Sequence, residues 1–353
     1  MMDLFPLARP FTSLIDPETA HRLTIRALRL GLGPRQRELD PVSLAIDLFG
    51  LHFENPVGIA AGFDKNGEVP DAMLAMGMGF AEVGTVTPRP QAGNPRPRVF
   101  RLPLHRAVVN RLGFNNEGHD ALKKRLVARR RRPGIVGVNI GANKDSADRI
   151  ADYEAGIRAF DGLASYFTVN ISSPNTPGLR ALQGKAELTE LVSRVLAARD
   201  TSRAKPTPVL LKIAPDLVAE ELADIAEVAL QEGLDGLIVS NTTIAREGLV
   251  SGLHAHETGG LSGAPLFAMS TEVLREMYRL TKGRLPIIGV GGIGSGEDAY
   301  RKIRAGASLV QLYSALTYEG PALVTRIKRD LAAHLAADGF AHLKDAVGAD
   351  VKL

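Results

Sequence analysis

Apolar runs rich in β-branched residues alternate with segments of helical periodicity along most of the chain. Runs of this kind that end in polar or turn-forming residues predict buried strands. The eight predicted strands cover residues 55–63, 80–88, 135–143, 166–174, 208–215, 236–243, 286–294 and 309–316. The segments with helical periodicity cover residues 69–76, 117–130, 147–160, 188–199, 218–232, 270–281, 297–305 and 321–335.

Eight strand–helix units in succession predict an α/β fold, a (β/α)8 TIM barrel, as the domain formed by residues 41–353. A doubly wound open sheet is the alternative. It normally has fewer units and a G-x-G-x-x-G motif after its first strand, and no such motif follows residues 55–63. The barrel is therefore the favoured fold.

Residues 1–40 differ in pattern and are predicted to form a small helical extension. Asp16 can cap a helix that has Pro17 in its first turn. One face of this helix carries Ala20, Leu23, Ala27 and Leu30, and another carries Arg22, Arg26 and Arg29. A basic amphipathic helix either packs on its own domain or lies in a membrane interface, and the periodicity alone slightly favours packing.

Two connections are too long for simple turns. Residues 89–115 contain an apolar run that suggests a hairpin, and residues 244–269 are rich in Gly, His and Ser. Long ordered insertions in α/β barrels usually shape the site. Residues 178–185 form either a mobile lid or a static loop.

Composition excludes several classes of site. The chain has no cysteine, which rules out disulfides, thiolate metal ligands and a thiol nucleophile within it. The net charge of +4 is slight, and the basic run at residues 123–132 has no interleaved aromatics. A solvated helix end is therefore favoured over a nucleic-acid site. No apolar run approaches the ~18 residues of a membrane span, so we expect a cytosolic or membrane-surface protein.

Polar side chains gather at the ends of the predicted strands, which meet at one mouth of a barrel. They are Lys65, Thr85, Asn139, Asn170, Ser173, Ser240, Asn241 and Thr242. Amides that both donate and accept hydrogen bonds suit a planar ligand such as a pyrimidinedione. Lys65 could pair with a carboxylate, and Lys212, inside an apolar strand, needs a buried partner or a bound anion.

A glycine-rich turn at residues 289–296 follows the seventh strand, and Tyr313 and Ser314 follow the eighth. Barrels of this type commonly hold a phosphate at this position. Flavin mononucleotide (FMN) with a small planar substrate fits this pattern. A single sugar phosphate in a non-redox isomerase fits it equally well.

Seven segments carry a specific resemblance. They are AGFDKNGE, EVGTVTPRPQAGNPRPRVFRL, NRLGFNN, VNISSPNTPGLR, VSNTT, GGLSG and GVGGI, in this order. Together they closely resemble the dihydroorotate dehydrogenase family in its quinone-dependent class (class 2). The resemblance covers roughly residues 40–335, and the helical extension is also typical of that class.

The resemblance implies an FMN enzyme of de novo pyrimidine (UMP) biosynthesis that oxidises dihydroorotate to orotate and reduces a membrane quinone. Ser173 would be the catalytic base and would need a relay for its proton. The implied substrate-binding residues are Lys65, Asn110, Arg111, Leu112, Gly113, Phe114, Asn170, Asn175, Asn241 and Thr242. The residues implied for one FMN per chain are Ala61, Gly62, Phe63, Asp64, Lys65, Thr85, Asn139, Asn170, Lys212, Ser240, Gly263, Gly292, Tyr313 and Ser314.

The missing cysteine and the extension both favour the quinone class, because the soluble classes of the family use a cysteine base. No metal site and no iron–sulfur partner subunit are implied. The amphipathic helix would dock on the membrane and admit the quinone. A bacterial chain would then be peripheral on the cytoplasmic side of the inner membrane.

Overall fold

The computed structural model of the chain describes residues 5, 14–36, 38–201, 206–250, 252 and 254–353. In chain order its strands are β1 (Ile46–Leu48), β2 (Leu51–Phe53), β3 (Val57–Asp64), β4 (Phe80–Val86), β5 (Val99–Leu102), β6 (Ala107–Asn110), β7 (Ile135–Ile140), β8 (Phe167–Asn170), β9 (Val209–Ile213), β10 (Gly236–Val239), β11 (Gly260–Gly263), β12 (Ile287–Val290) and β13 (Ala307–Leu312).

The helices of the same residues follow the strands in regular alternation. They are α1 (Pro17–Arg29), α2 (Pro70–Ala75), α3 (Gly118–Arg129), α4 (Arg149–Phe160), α5 (Lys185–Asp200), α6 (Ala219–Gln231), α7 (Phe267–Leu280), α8 (Gly296–Arg304), α9 (Leu316–Glu319), α10 (Ala322–Ala337) and α11 (Leu343–Ala346). Short 3-10 turns occupy Val42–Leu44, Pro103–His105, Arg180–Gln183 and Ala264–Leu266.

Eight of the strands form a closed barrel, which confirms the predicted TIM fold. Going around the barrel, the order is β3, β4, β7, β8, β9, β10, β12 and β13, with β13 returning to β3. All neighbouring pairs are parallel, and Val310 opposite Val57 belongs to the closing pair. The alternative of an open doubly wound sheet is therefore wrong. Each predicted strand and each predicted helix overlaps its observed counterpart.

Large rings fill the barrel below the level of the site. Phe53 packs edge-on against Phe80 with ring centroids 5.5 Å apart, and Phe80 lies 6.4 Å from the ring of Tyr166. Gly58 faces the ring of Phe80, and a Cβ on Gly58 would come within 2.4 Å of that ring. The cavity of the site lies above this packed layer, toward the carboxyl ends of the strands.

The two long connections build a small sheet over the barrel mouth. β5 and β6 pair antiparallel, which confirms the predicted hairpin in residues 89–115. The second long connection adds β11 to β6, with Gly260 opposite Asn110. This third strand was not predicted, because its sequence GLSG lacks a strand pattern and its pairing comes from β6. A further antiparallel hairpin, β1 with β2, precedes the barrel and was not predicted either.

Helix α1 packs on this inserted sheet through a buried ion pair. Asp16 caps the helix by accepting a hydrogen bond from the Thr19 N–H at 2.9 Å. Glu18 then accepts two hydrogen bonds from Arg98 at 3.0 and 2.8 Å and one from Arg96 at 2.9 Å. Both Glu18 and Arg98 are buried. These arginines hold the pKa of the Glu18 carboxyl below its usual value against the opposing effect of burial.

Candidate active site

A cavity of about 740 Å³ opens at the carboxyl ends of the barrel strands. Its walls come from the strand ends, the inserted sheet and α1. The predicted site residues that line it are Ala61, Gly62, Phe63, Lys65, Thr85, Asn110, Leu112, Gly113, Phe114, Asn170, Ser173, Asn175, Lys212, Ser240, Asn241, Thr242, Gly263, Gly292, Tyr313 and Ser314. The fold therefore collects side chains that lie up to about 250 positions apart in the sequence.

Three predicted site residues lie behind this lining. The Asp64 carboxylate accepts hydrogen bonds from the Glu68 and Val69 N–H groups at 2.8 and 2.7 Å and so shapes the turn before α2. Arg111 binds Glu257 at 2.6 Å and lies over the ring of Phe100, which ties together the strands of the inserted sheet. Asn139 is fully buried beneath Thr85.

Amides and hydroxyls form a continuous hydrogen-bonded row across the strand ends. Thr85 donates to the Oδ1 of Asn139 at 2.5 Å and accepts from the Nδ2 of Asn170 at 2.8 Å. Asn241 donates to the Oδ1 of Asn170 at 3.3 Å and to the Oγ of Ser172 at 3.0 Å. The row thus holds the orientation of amides that line the cavity, which is the preorganisation that recognition of a planar polar ligand requires.

A buried carboxylate lies below this row. Glu82 is completely buried and accepts hydrogen bonds from Asn139 at 2.8 Å, Tyr166 at 3.0 Å and Gln311 at 2.8 Å. A charge inside a barrel is costly without such donors and an opposite charge. The ammonium of Lys212 supplies that opposite charge from the next layer.

Two lysines face the cavity without a partner. Among the described residues, neither Lys65 nor Lys212 forms a side-chain hydrogen bond or an ion pair with the protein, and both line the cavity. Burial lowers the pKa of Lys65 to about 8, and it also lowers the pKa of Lys212 while Glu82 opposes that shift. Neither lysine has a carboxylate within ion-pair distance in this part of the chain, and Lys212 has only the longer-range attraction of Glu82, so the cavity is suited to anionic ligands.

The loop after β8 places Ser173 at the edge of the cavity. Its hydroxyl accepts a hydrogen bond from the Asn175 N–H at 3.2 Å, and the Asn175 amide donates to the Asn110 carbonyl oxygen at 3.1 Å. Thr176 is buried and its hydroxyl has no partner within the described part of the chain. Arg180 fastens the following segment by binding Asp216 at 2.9 Å and the Ser172 carbonyl oxygen at 3.1 Å.

The glycine-rich turn after β12 lines another part of the cavity. Gly291 and Gly292 have φ angles of 112° and 78°, and a Cβ on Gly292 would lie 2.5 Å from the Cα of Phe267. Only glycine is compatible with this backbone. Ser295 then caps α8 by accepting the Asp298 N–H at 3.1 Å. A tight turn that leads into a helix N-terminus provides N–H donors for an anion.

Comparison with known proteins identifies the family. The dihydroorotate dehydrogenase family profile matches residues 43–335. A protein of Parvibaculum lavamentivorans named dihydroorotate dehydrogenase (quinone) is 84% identical over the full length of both chains. The protein of the same name from Rhodospirillum rubrum is 59% identical and covers 99% of this chain and 95% of its own. The chain belongs to the quinone-dependent class of the dihydroorotate dehydrogenase family.

Solved structures of this family agree with the fold. A ligand-free dihydroorotate dehydrogenase of Eimeria tenella superposes with a TM-score of 0.93 at 43% identity, covering 96% of this chain and 100% of its own. Its complex with ferulenol gives a TM-score of 0.92 at the same identity, covering 95% of this chain and 96% of that one. The predicted enzyme class is thus confirmed, and the alternative of a non-redox isomerase is wrong.

Helix α1 closes one side of the cavity, although it precedes the residues that the family profile matches. His21 packs edge-on against Phe63 at 5.4 Å, and its Nδ1 lies 3.3 Å from the Tyr313 hydroxyl. Burial, reinforced by Lys65, lowers the pKa of His21 to about 3. Of the predicted apolar face, Ala20 is buried, whereas Leu23 and Leu30 are 45% and 77% exposed.

Three residues of this dehydrogenase site were not anticipated from the sequence. Glu82 lies in the middle of an apolar strand, where a lone carboxylate was a usable signal. His21 lies on the predicted extension, and only the packing of α1 brings it to the cavity. Thr176 lies inside the recognised loop but is distinguished only by its buried hydroxyl. Within the described residues, no helix is long and apolar enough to cross a bilayer, and no cluster of His, Asp and Glu could hold a metal ion.

Proposed function

We propose that the chain oxidises (S)-dihydroorotate to orotate in de novo pyrimidine biosynthesis, with FMN as hydride acceptor and a membrane quinone as final electron acceptor. The full-length similarity to proteins named dihydroorotate dehydrogenase (quinone) carries this proposal. The cavity supports it independently, because its unpaired ammonium groups and its row of amides suit anionic, planar ligands.

The residues present fit FMN. The glycine turn at Gly291 and Gly292 offers backbone N–H groups to a phosphate, and Ser314, whose hydroxyl lies 2.8 Å from that of Ser262, extends this end. Lys212 would hold the pyrimidine end of the isoalloxazine, where an ammonium favours negative charge. Between the phosphate and the pyrimidine end of FMN, Thr85 would offer its hydroxyl and Asn170 its amide. When bound, FMN supplies the acceptor for the C6 hydride of the substrate.

Ser173 is the proposed base for the C5 proton of dihydroorotate. A serine hydroxyl takes up a proton only as its own proton leaves. Thr176 lies three residues further along the same loop, and its buried hydroxyl has no partner among the described residues, so it is the proposed first relay group. The C5–H electrons form the C5=C6 double bond as the C6 hydride departs, so the oxidation releases one proton and transfers two electrons.

Lys65 is the proposed partner of the substrate carboxylate. Asn110, Asn175 and Asn241 present amides to the ring of the substrate. Because Asn175 also donates to Asn110, these two amides position each other. A ligand with both a carboxylate and a ring of alternating N–H and C=O groups would satisfy the lysine and the amides together.

Within the extension at residues 1–40, helix α1 is the proposed element that binds the membrane and admits the quinone. Its inner face lines the cavity through Ala20, His21 and Leu28. Its outer face exposes Leu23, and Leu30 directly after the helix is exposed as well, both beside arginines. This is the arrangement of a helix that lies in an anionic membrane interface. A quinone would thus pass from the membrane along α1 to the cavity. For a bacterial cell, the proposed location is peripheral, on the cytoplasmic side of the inner membrane.

Steady-state turnover with different acceptors tests this function. Purified protein is given dihydroorotate together with a quinone, fumarate or NAD, and orotate formation is followed by absorbance. We expect orotate only with the quinone. Equal turnover with fumarate or NAD would contradict the proposed acceptor, and no orotate with any acceptor would contradict the proposed substrate.

A further inference from the structure

A buried lysine lies behind the glycine-rich turn and has no part in the site described above. Lys302, on α8, is completely buried, and its Nζ donates to the Ser270 hydroxyl at 2.6 Å. The same Nζ lies 5.2 Å from the centre of the Phe267 ring. Among the described residues, no carboxylate forms an ion pair with it. Lys328, a second buried lysine, differs in this respect, because it pairs with Asp40 at 2.7 Å.

Burial lowers the pKa of Lys302 to about 7, and the charge of Asp298 on the same helix opposes this shift. A buried ammonium without a carboxylate is expensive. Lys302 is therefore either a neutral amine with only a packing role, or an ammonium whose charged form is favoured by a bound anionic ligand.

One serine connects Lys302 to the glycine turn. The Ser270 hydroxyl that accepts from Lys302 lies 3.2 Å from the carbonyl oxygens of both Gly291 and Phe267, and its one proton is available to either of them. A Cβ on Gly291 would lie 2.7 Å from the same hydroxyl. A chain of direct contacts therefore runs from Lys302 through Ser270 to Gly291 in the turn. Gly291 in its turn lines the cavity.

We propose that Lys302 is a positioning residue whose buried ammonium supplies the positive charge that favours a dianionic phosphate at the glycine turn. This inference rests on the proposed binding of FMN. The charge acts from behind the turn, where solvent does not screen it. The hydrogen bond from Lys302 also fixes the position of Ser270, whose hydroxyl contacts the Gly291 carbonyl oxygen. Lys302 thus makes the site selective for phosphorylated flavin rather than for flavin as such.

The test compares the affinities of FMN and riboflavin, which differ by the phosphate alone. Wild type and Lys302→Met, stripped of flavin and reconstituted, are titrated with each probe by flavin fluorescence. We expect Lys302→Met to weaken FMN binding about tenfold or more and to change riboflavin binding by less than about twofold. Lys302→Arg keeps the charge and should keep most of the preference for FMN.

Lys328→Met is the matched control, because it also removes a buried lysine. Lys328 is far from the turn in the sequence, and it is paired with Asp40. This variant should leave the FMN-to-riboflavin ratio unchanged. A parallel loss of both affinities in Lys302→Met, or no loss of either, would overturn the inference. Failure of both Lys302→Met and Lys302→Arg to fold would also overturn it, because the lysine would then be a packing residue. Wild type that binds neither probe would instead refute the proposed function.

Discussion

At the scale of single residues, unpaired groups identify the chemistry of the cavity. Lys65 and Lys212 line the cavity and form no hydrogen bond or ion pair within the described residues, although Glu82 attracts Lys212 at longer range. In the neighbouring loop after β8, the buried Thr176 hydroxyl has no partner among the same residues. Most buried polar groups in proteins are satisfied, so unsatisfied groups around one cavity point to a ligand. The sequence indicated both lysines, because each interrupts or ends an apolar strand. It could not indicate the state of Thr176, which depends on how the loop after β8 folds.

The pH dependence of substrate binding tests Lys65. Its pKa is lowered to about 8, so the charge is present below that pH and is lost as the pH rises through it. We expect kcat/KM for dihydroorotate to fall about tenfold per pH unit above about pH 8. A bound carboxylate raises the lysine pKa, so the fall in kcat should begin at higher pH than the fall in kcat/KM.

Lys65→Met should raise KM and abolish this alkaline limb, whereas Lys144→Met on the exposed surface should change neither. Were the limb to persist unchanged in Lys65→Met, another group would be responsible, and the assignment of Lys65 to the carboxylate would fail. The measurement is a set of initial rates between pH 6 and pH 10.

Ser173 is tested by removing and by replacing its hydroxyl. General base catalysis contributes about 10²- to 10⁴-fold, so Ser173→Ala should lose that much turnover while retaining bound flavin. Ser173→Cys should recover part of the rate, with a profile shifted toward lower pH because a thiol ionises more readily. Flavin absorbance is recorded with each rate. A Ser173→Ala protein with near-normal turnover would remove the serine from the mechanism.

At the scale of elements, α1 connects the surface of the protein to its cavity. The buried pair of Glu18 and Arg98 fastens it to the inserted sheet, so the helix is a wall of the site as well as a surface feature. The amphipathic pattern predicted the helix and its cap. It did not reveal that Leu23 and Leu30 face solvent while Ala20 is buried, because that division depends on which side contacts the inserted sheet.

Charges on the outer face of α1 test its proposed role. The double variant Leu23→Glu/Leu30→Glu should weaken binding to anionic lipid vesicles and lower reduction of vesicle-borne quinone about tenfold or more, because both apolar contacts with the interface are lost. Reduction of the flavin by dihydroorotate should change less than about twofold. Val127→Glu on α3 is the control, because Val127 is about as exposed as Leu23. It should leave vesicle binding and quinone reduction unchanged. Intact vesicle binding in the double variant would exclude this face as the docking surface.

At the scale of the whole molecule, the barrel brings residues that are far apart in the sequence together at one mouth. Its eight strands were predictable because each is a separate run of buried apolar residues. The meeting of polar strand ends at one mouth followed from the topology alone. The inserted sheet was only half predictable, since β11 has no strand pattern and exists through pairing with β6. The Glu82 network was not predictable either, since its donors come from three other parts of the barrel.

The central claim is that one cavity passes electrons from dihydroorotate through a flavin to a quinone. Anaerobic stopped-flow absorbance tests it most directly, by mixing the purified protein with dihydroorotate and then with a quinone, fumarate or NAD. We expect the flavin band to bleach with dihydroorotate and to recover only with the quinone. A protein that cannot be loaded with FMN, or a flavin band that dihydroorotate leaves unchanged, would contradict the account.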